Sequence, residues 1–167
     1  MAKLLNSMIT NCGNRVELIQ AGAKISHILV IGVFHGDEPQ GKYLIDEYLK
    51  QSEKSLLFIP CLNPDGMLQN SRTNSNGVDL NRNFPTKNWG QNEGENATCD
   101  DAATAYYGGS APASEKETKF LVKIIEEYKP SLILTLHAPY KVVNYDGPAE
   151  NVAKEISQII NYPVEAS

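Results

Sequence analysis

The run Ile28-Leu-Val-Ile-Gly-Val-Phe-His35-Gly-Asp-Glu38-Pro39 decides how the rest of the chain is read. Residues 28–34 are a short apolar stretch rich in β-branched side chains, the pattern of a buried strand. A histidine and a glutamate three residues apart stand at its end, and Pro39, with its preset φ, suits the first turn of a helix. A second apolar run, 131–137, ends at His137. Two strand ends thus offer two imidazoles and one carboxylate. Two His nitrogens and one Glu oxygen, with a fourth position left open, form the coordination of a catalytic zinc rather than the closed shell of a structural one.

Outward from these two runs, apolar stretches alternate between strand-like and helix-like periods. The patterning predicts strands over 16–20, 28–34, 56–61, 131–137 and 142–145, and helices over 39–51 and 148–160. A further helix is predicted after Ser114, which can cap it with Glu117 three residues on. Phe120, Leu121, Ile124, Ile125 and Tyr128 form its stripe, and Pro130 follows its end. On the last helix Val152, Ile156, Ile159 and Ile160 are expected on one side. The predicted fold is α/β, a mixed, largely parallel sheet flanked by helices, in one domain over 1–167. In such sheets ligands bind beyond the strand carboxyl ends, where His35 and His137 fall. Residues 63–114 lack apolar periodicity and read as a long functional loop.

A chain of 167 residues with 41% apolar and 21% charged residues is long enough for one substantial core. The formal charge of −5, without a Lys/Arg cluster, argues against a nucleic-acid binder. No run reaches membrane-spanning length, and the N-terminus lacks a signal peptide's apolar core. Cys12, Cys61 and Cys99 are odd in number and carry no C-x-x-C spacing, which argues against a disulfide framework or a thiolate metal site. A reducing cytoplasm is the expected compartment, with Cys61 a small buried hydrophobe.

A lone His beside a sheet is more often a hydrogen-bonded structural residue than a ligand, and His27, at the start of its strand, is read that way. At His35 the context differs: Gly36 permits a sharp turn after the strand, and Asp37 and Glu38 gather acid around the imidazole. Further on, Arg72 and the block Gly77-Val-Asp-Leu-Asn-Arg-Asn-Phe84 place two arginines among amides, a composition able to clamp a carboxylate. Taken together, His35-Gly-Asp-Glu38, Asn63-Pro-Asp-Gly66, Arg72 with residues 77–84, and Leu136-His137-Ala-Pro resemble the zinc carboxypeptidase family, in the family's order. The spacing from Arg72 to Asn81, the Ser110-Ala-Pro-Ala-Ser-Glu115 helix entry and His-Ala-Pro-Tyr140 bring the resemblance nearest to its bacterial murein peptide amidases, which cleave γ-D-glutamyl-diaminopimelate bonds in the cytoplasm. The resemblance covers about residues 28–145.

This resemblance implies one Zn2+ held by His35, Glu38 and His137. It implies that Arg72 polarises the scissile carbonyl, and that Asn81 and Arg82 bind the carboxylate of a small peptide. Tyr140 is expected to line the same pocket. Asp79 either orients an arginine or stabilises the turn, and Asp37 is expected behind the metal ligands. Tyr106 and Tyr107 either line the groove or cover the loop. The family also has a general-base glutamate on a later strand. Glu150, Glu155 and Glu165 lack such a strand, so the chain is expected to be incomplete at its C-terminus and impaired in hydrolysis, with the cut sheet edge open to a second copy. Two other readings stay open: an N-acyl amino acid deacylase of the aspartoacylase and succinylglutamate desuccinylase type, and an inactive zinc- and carboxylate-binding domain.

Overall fold

A computed structural model describes residues 2–51, 54–89 and 106–167. The chain divides into two compact units, Met1–His137 and Ala138–Ser167. Cys99 lies outside the described residues.

In the first unit five strands form a mixed sheet: β1 (Lys3–Ile9), β2 (Arg15–Ala21), β3 (Ile28–Gly32), β4 (Leu56–Ile59) and β5 (Leu132–Leu136). Their spatial order is β1-β2-β4-β3-β5. β3 runs parallel to both β4 and β5, with Ile31 opposite Ile59 and Thr135, whereas β1 and β2 join antiparallel. The mixed sheet is the predicted one, and β2 covers the residues 16–20 read as a strand. β1 was not predicted, because most of its residues are exposed or half-buried on an edge strand and leave a weak apolar pattern.

The period of two in β2, β3 and β4 divides the apolar side chains between two faces. Val16, Leu18, Leu29, Ile31, Leu57 and Ile59 point to one, where Phe120, Leu121 and Ile124 of the helix Lys116–Tyr128 (α3) cover them. Ala21, Val30 and Phe58 point to the other, against Ile45 of α1 (Gln40–Gln51). The sheet is thus flanked on both faces, as the alternation implied. Gly32 permits the fit on the second face: a Cβ there would lie 2.6 Å from the Pro60 carbonyl and 2.9 Å from the Gly41 backbone.

Within 63–114 the structure contains a short helix, α2 (Pro64–Gln69), and a 3-10 turn, Leu80–Arg82. Asn63 caps α2 by accepting from Gly66 N–H at 2.9 Å, with Pro64 at the first turn, so a turn-like motif opens a helix. The Ser114–Glu117 capping box does not form. Glu115 stands at the N-cap without a side-chain cap bond, because Ser114 Oγ donates to Glu115 Oε1 at 2.7 Å and accepts from Asn83 Nδ2 at 2.9 Å.

The second unit is a small βαβ arrangement, in which β6 (Val143–Tyr145) and β7 (Val164–Ala166) pair in parallel across the helix α4 (Glu150–Ile160). Ala153 is buried on α4, whereas Ile159, about 120° away round the helix, is 83% exposed and Ile160 is exposed too, so both fall off the expected stripe.

Candidate metal centre

β3 ends at Gly32, and the chain then turns with Val33 at φ 55, a backbone state rarely open to a β-branched residue. Val33 is fully buried in the core, and packing of this kind is what holds a residue in such a state. The Glu38 N–H donates to the His35 carbonyl at 3.2 Å, closing one turn that brings the two side chains to the same side. Gly36 is needed for close approach rather than for an unusual φ: a Cβ there would fall 2.0 Å from the Gly66 carbonyl carbon. β5, hydrogen-bonded beside β3, delivers His137 one residue past its last strand position.

The three side chains meet. His35 Nδ1 is 3.0 Å from Glu38 Oε1 and His137 Nδ1 is 2.9 Å from Glu38 Oε2. One donor atom from each lies within 4.8 Å of the others. His35 and Glu38 are buried, and His137 is the exposed member. Phe34 stacks on the His137 ring at 5.5 Å and so fixes its plane.

Behind His35 stands Asp79, fully buried. Its Oδ1 is 3.3 Å from His35 Nε2, close enough for charge attraction though without the alignment of a hydrogen bond, so among the described residues Nε2 has no aligned hydrogen-bond partner. Its Oδ2 accepts from Arg72 Nε at 3.0 Å and Nη2 at 2.9 Å, and its Oδ1 also accepts from Asn81 N–H at 2.9 Å. Asp79 therefore does both things the sequence left open: it orients Arg72 and it caps the 3-10 turn. Burial opposes charge on both His35 and Asp79, but the neighbours prevail. The Asp79 and Glu38 carboxylates raise the His35 pKa, and His35 and Arg72 hold Asp79 below the usual carboxylate value. Arg72 Nη1 lies 3.4 Å from His35 Nδ1, so this guanidinium reaches the side of the imidazole that faces Glu38.

Both Nδ1 atoms face one carboxylate, and a buried Asp sits behind one imidazole, an arrangement that in metal sites sets the ring's tautomer and orientation. This donor set fits zinc, which takes imidazole nitrogen and carboxylate oxygen. Asp37 does not take the place behind the ligands; it is exposed, because the turn that buries Glu38 directs it outward. Asn81 and Arg82 lie on the 3-10 turn, Asn81 exposed and Arg82 half-buried. Tyr140 belongs to the second unit and is 83% exposed. Cys61 is buried as expected, its thiol pushed up to about 12 by burial. The apolar groove of about 340 Å³ between α1 and the sheet, lined by Val30, Leu44, Ile45, Tyr48, Phe58 and Leu136, brings no polar groups together and lies apart from the histidines.

Known proteins resemble this chain across nearly all of it. Murein peptide amidase A of Escherichia coli K12 is 31% identical over 155 residues, covering 88% of this chain and 62% of its own length. The Vibrio campbellii murein peptide amidase A is 29% identical over 145 residues, 81% of this chain and 57% of its own length. The chain thus spans about three fifths of the length of these relatives. The crystal structure of murein-tripeptide amidase MpaA from Escherichia coli O157 superposes with TM-score 0.79 at 26% identity, covering 99% of this chain and 73% of that one. Carboxypeptidase A from Helicoverpa armigera shares the fold, with TM-score 0.77 at 17% identity over 99% of this chain and 52% of that one. Among the described residues no helix is long and apolar enough to cross a membrane. The zinc carboxypeptidase model matches residues 4–155, and the chain belongs to that family.

Proposed function

We propose that this chain carries the zinc-binding and substrate-holding part of an amidase acting in the cytoplasm on a small carboxylate-bearing peptide of the murein type. The observation that carries this reading is the convergence of His35 Nδ1 and His137 Nδ1 on Glu38, with Arg72 held beside them by Asp79. His35, Glu38 and His137 would hold one Zn2+ per chain, which when bound supplies Lewis-acid polarisation of the scissile carbonyl. Arg72 presents a preorganised cation to the developing oxyanion. Losing such a donor commonly costs about 10² to 10³ in rate. Asn81 and Arg82, two and three residues past Asp79 on a turn that Asp79 itself caps, would hold the substrate carboxylate, Arg82 by a bidentate pair. The murein assignment rests on the amidase relatives.

A second reading, binding with little turnover, is favoured by how the carboxylates at the centre are used. Glu38 faces both imidazoles, and Asp79 is engaged by Arg72, His35 and Asn81, so neither is placed to take a proton from an attacking water. Lacking a general base typically costs about 10² to 10⁴ in rate.

Elemental analysis and calorimetry on the purified chain test both. The expected result is about one zinc per chain, binding of murein tripeptide that Arg82→Ala weakens, and no binding of N-acetylaspartate or N-succinylglutamate. Absence of zinc, or preference for the N-acyl amino acids, overturns the amidase reading. Fast zinc-dependent hydrolysis of the tripeptide, abolished by His35→Ala, overturns the weak-turnover reading.

A further inference from the structure

Tyr106 faces two guanidinium groups at once. Arg72 Cζ lies 5.0 Å from its ring centroid and Arg82 Cζ lies 5.8 Å from it. Two cations gathered round one ring repel, and the negative π-cloud of that ring offsets the repulsion by attracting both. The ring is 49% exposed, so filling the core does not account for its position. Its backbone is fastened to the segment that carries the arginines. Asp79 N–H donates to the Tyr107 carbonyl at 2.9 Å, and Asn83 Nδ2 and Trp89 Nε1 donate to the Gly108 carbonyl at 2.7 and 3.1 Å. A Cβ on Gly108 would stand 2.7 Å from the Arg82 carbonyl oxygen, so glycine lets the chain pass this close.

We propose that Tyr106 is a positioning residue that sets the spacing between Arg72 and Arg82. The inference rests on the roles given to those two arginines above. Arg72 is already fixed on one side by Asp79, and the ring supplies its second face. Arg82 meets the same ring from its own position on the 3-10 turn. A peptide that offers a carboxylate to Arg82 and a carbonyl oxygen to Arg72 then meets two cations at a preset separation, and less side-chain freedom is lost when it binds. Tyr106 is thereby a specificity element for the distance between those two substrate groups. The ring face acts, not the hydroxyl.

The test uses the zinc-loaded chain with side-chain labelled arginine, and assigns the Arg72 and Arg82 Nε–Hε resonances from Arg72→Lys and Arg82→Lys. Both resonances should carry a ring-current shift that disappears in Tyr106→Leu and persists in Tyr106→Phe. Murein tripeptide binding should weaken about three- to ten-fold in Tyr106→Leu and stay within about two-fold in Tyr106→Phe, with zinc content and melting temperature unchanged. Arginine resonances that ignore Tyr106→Leu, or a Tyr106→Phe variant as impaired as Tyr106→Leu, overturn the inference. If the unaltered chain does not bind the tripeptide, the functional reading fails, while the resonance shifts still decide the role of the ring.

Discussion

Asp79 and Asp65 are buried to nearly the same depth, 0% and 1% exposed, and both carboxyls are held below the ordinary value, yet by different company. For each, burial works against the charge. Asp79 overcomes it with an imidazole and a guanidinium, His35 and Arg72. Asp65 overcomes it with neutral donors: the hydroxyls of Thr10 and Ser75 at 2.6 and 2.9 Å, the Asn14 amide at 2.8 Å and the Cys12 N–H at 3.3 Å. The neutral donors spend their bonding on Asp65 and so tie the turn after β1, the start of α2 and the following loop into one body. His35 and Arg72 keep other atoms for use elsewhere, His35 Nδ1 toward Glu38 and Arg72 Nη1 beside it. Equal burial thus makes a fastening in one place and supports the candidate metal centre in the other.

The largest expected effect comes from removing a ligand from that centre. His35→Ala should take zinc from about one equivalent to well under a tenth by elemental analysis, and retention of zinc would mean that the metal sits elsewhere. Next is the direct comparison of the two aspartates. Asp79→Asn should weaken zinc binding about 10- to 100-fold, the usual cost of losing the carboxylate behind a metal-ligating histidine. Asp65→Asn should leave zinc affinity within about two-fold. Equal losses in a competitive chelator titration would erase the distinction drawn between them.

Stability should rank the pair the other way. Asp65→Ala abandons hydrogen bonds from Thr10, Cys12, Asn14 and Ser75 and should cost about 2 to 4 kcal/mol, roughly 4 to 16 °C in melting temperature. The sign with pH follows from the lowered carboxyl pKa. The contribution is fully present above the unfolded value of 3.8 and is lost as pH falls through the still lower folded value. The gap between parent and variant in thermal melts should therefore be widest near neutrality and close in strong acid.

Much of this centre was legible in the chain because its parts sit at strand ends that announce themselves. β3 and β5 lie in largely apolar runs; His35 and Glu38 stand three and six residues past β3, and His137 directly follows β5. What was not legible depends on partners far apart in sequence. The role of Asp65 needs Thr10, 55 residues away, and neither β1 nor the six-residue α2 has a periodicity strong enough to be seen alone. Asp37 is expected behind the metal ligands because it adjoins them in sequence, yet the turn that aligns His35 with Glu38 sends it outward, and the loop places Asp79 behind His35 instead. The contact of Tyr106 with both arginines could not be read either, since nothing local to a tyrosine before two glycines specifies what its ring faces.

A third buried acid extends the comparison and predicts the smallest effect. Glu117, 1% exposed on α3, has no well-aligned hydrogen-bond partner on either carboxylate oxygen among the described residues; it lacks the cationic company of Asp79, and the Asn74 amide and its own N–H favour its charge too weakly to offset burial. Burial, then the negative charges of Asp65 and Glu115, raise its pKa above the ordinary 4.5. The folded chain accordingly keeps a proton that the unfolded chain releases above 4.5, and stability falls as pH rises from there to the folded value. Glu117→Gln removes that titration. It should be more stable than the parent by about 1 kcal/mol, roughly 2 to 4 °C, at about pH 8, with the difference gone below about pH 4 and zinc content unchanged. A variant less stable than the parent at the higher pH would show that the carboxylate itself supports the fold, and would move Glu117 to the side of Asp65.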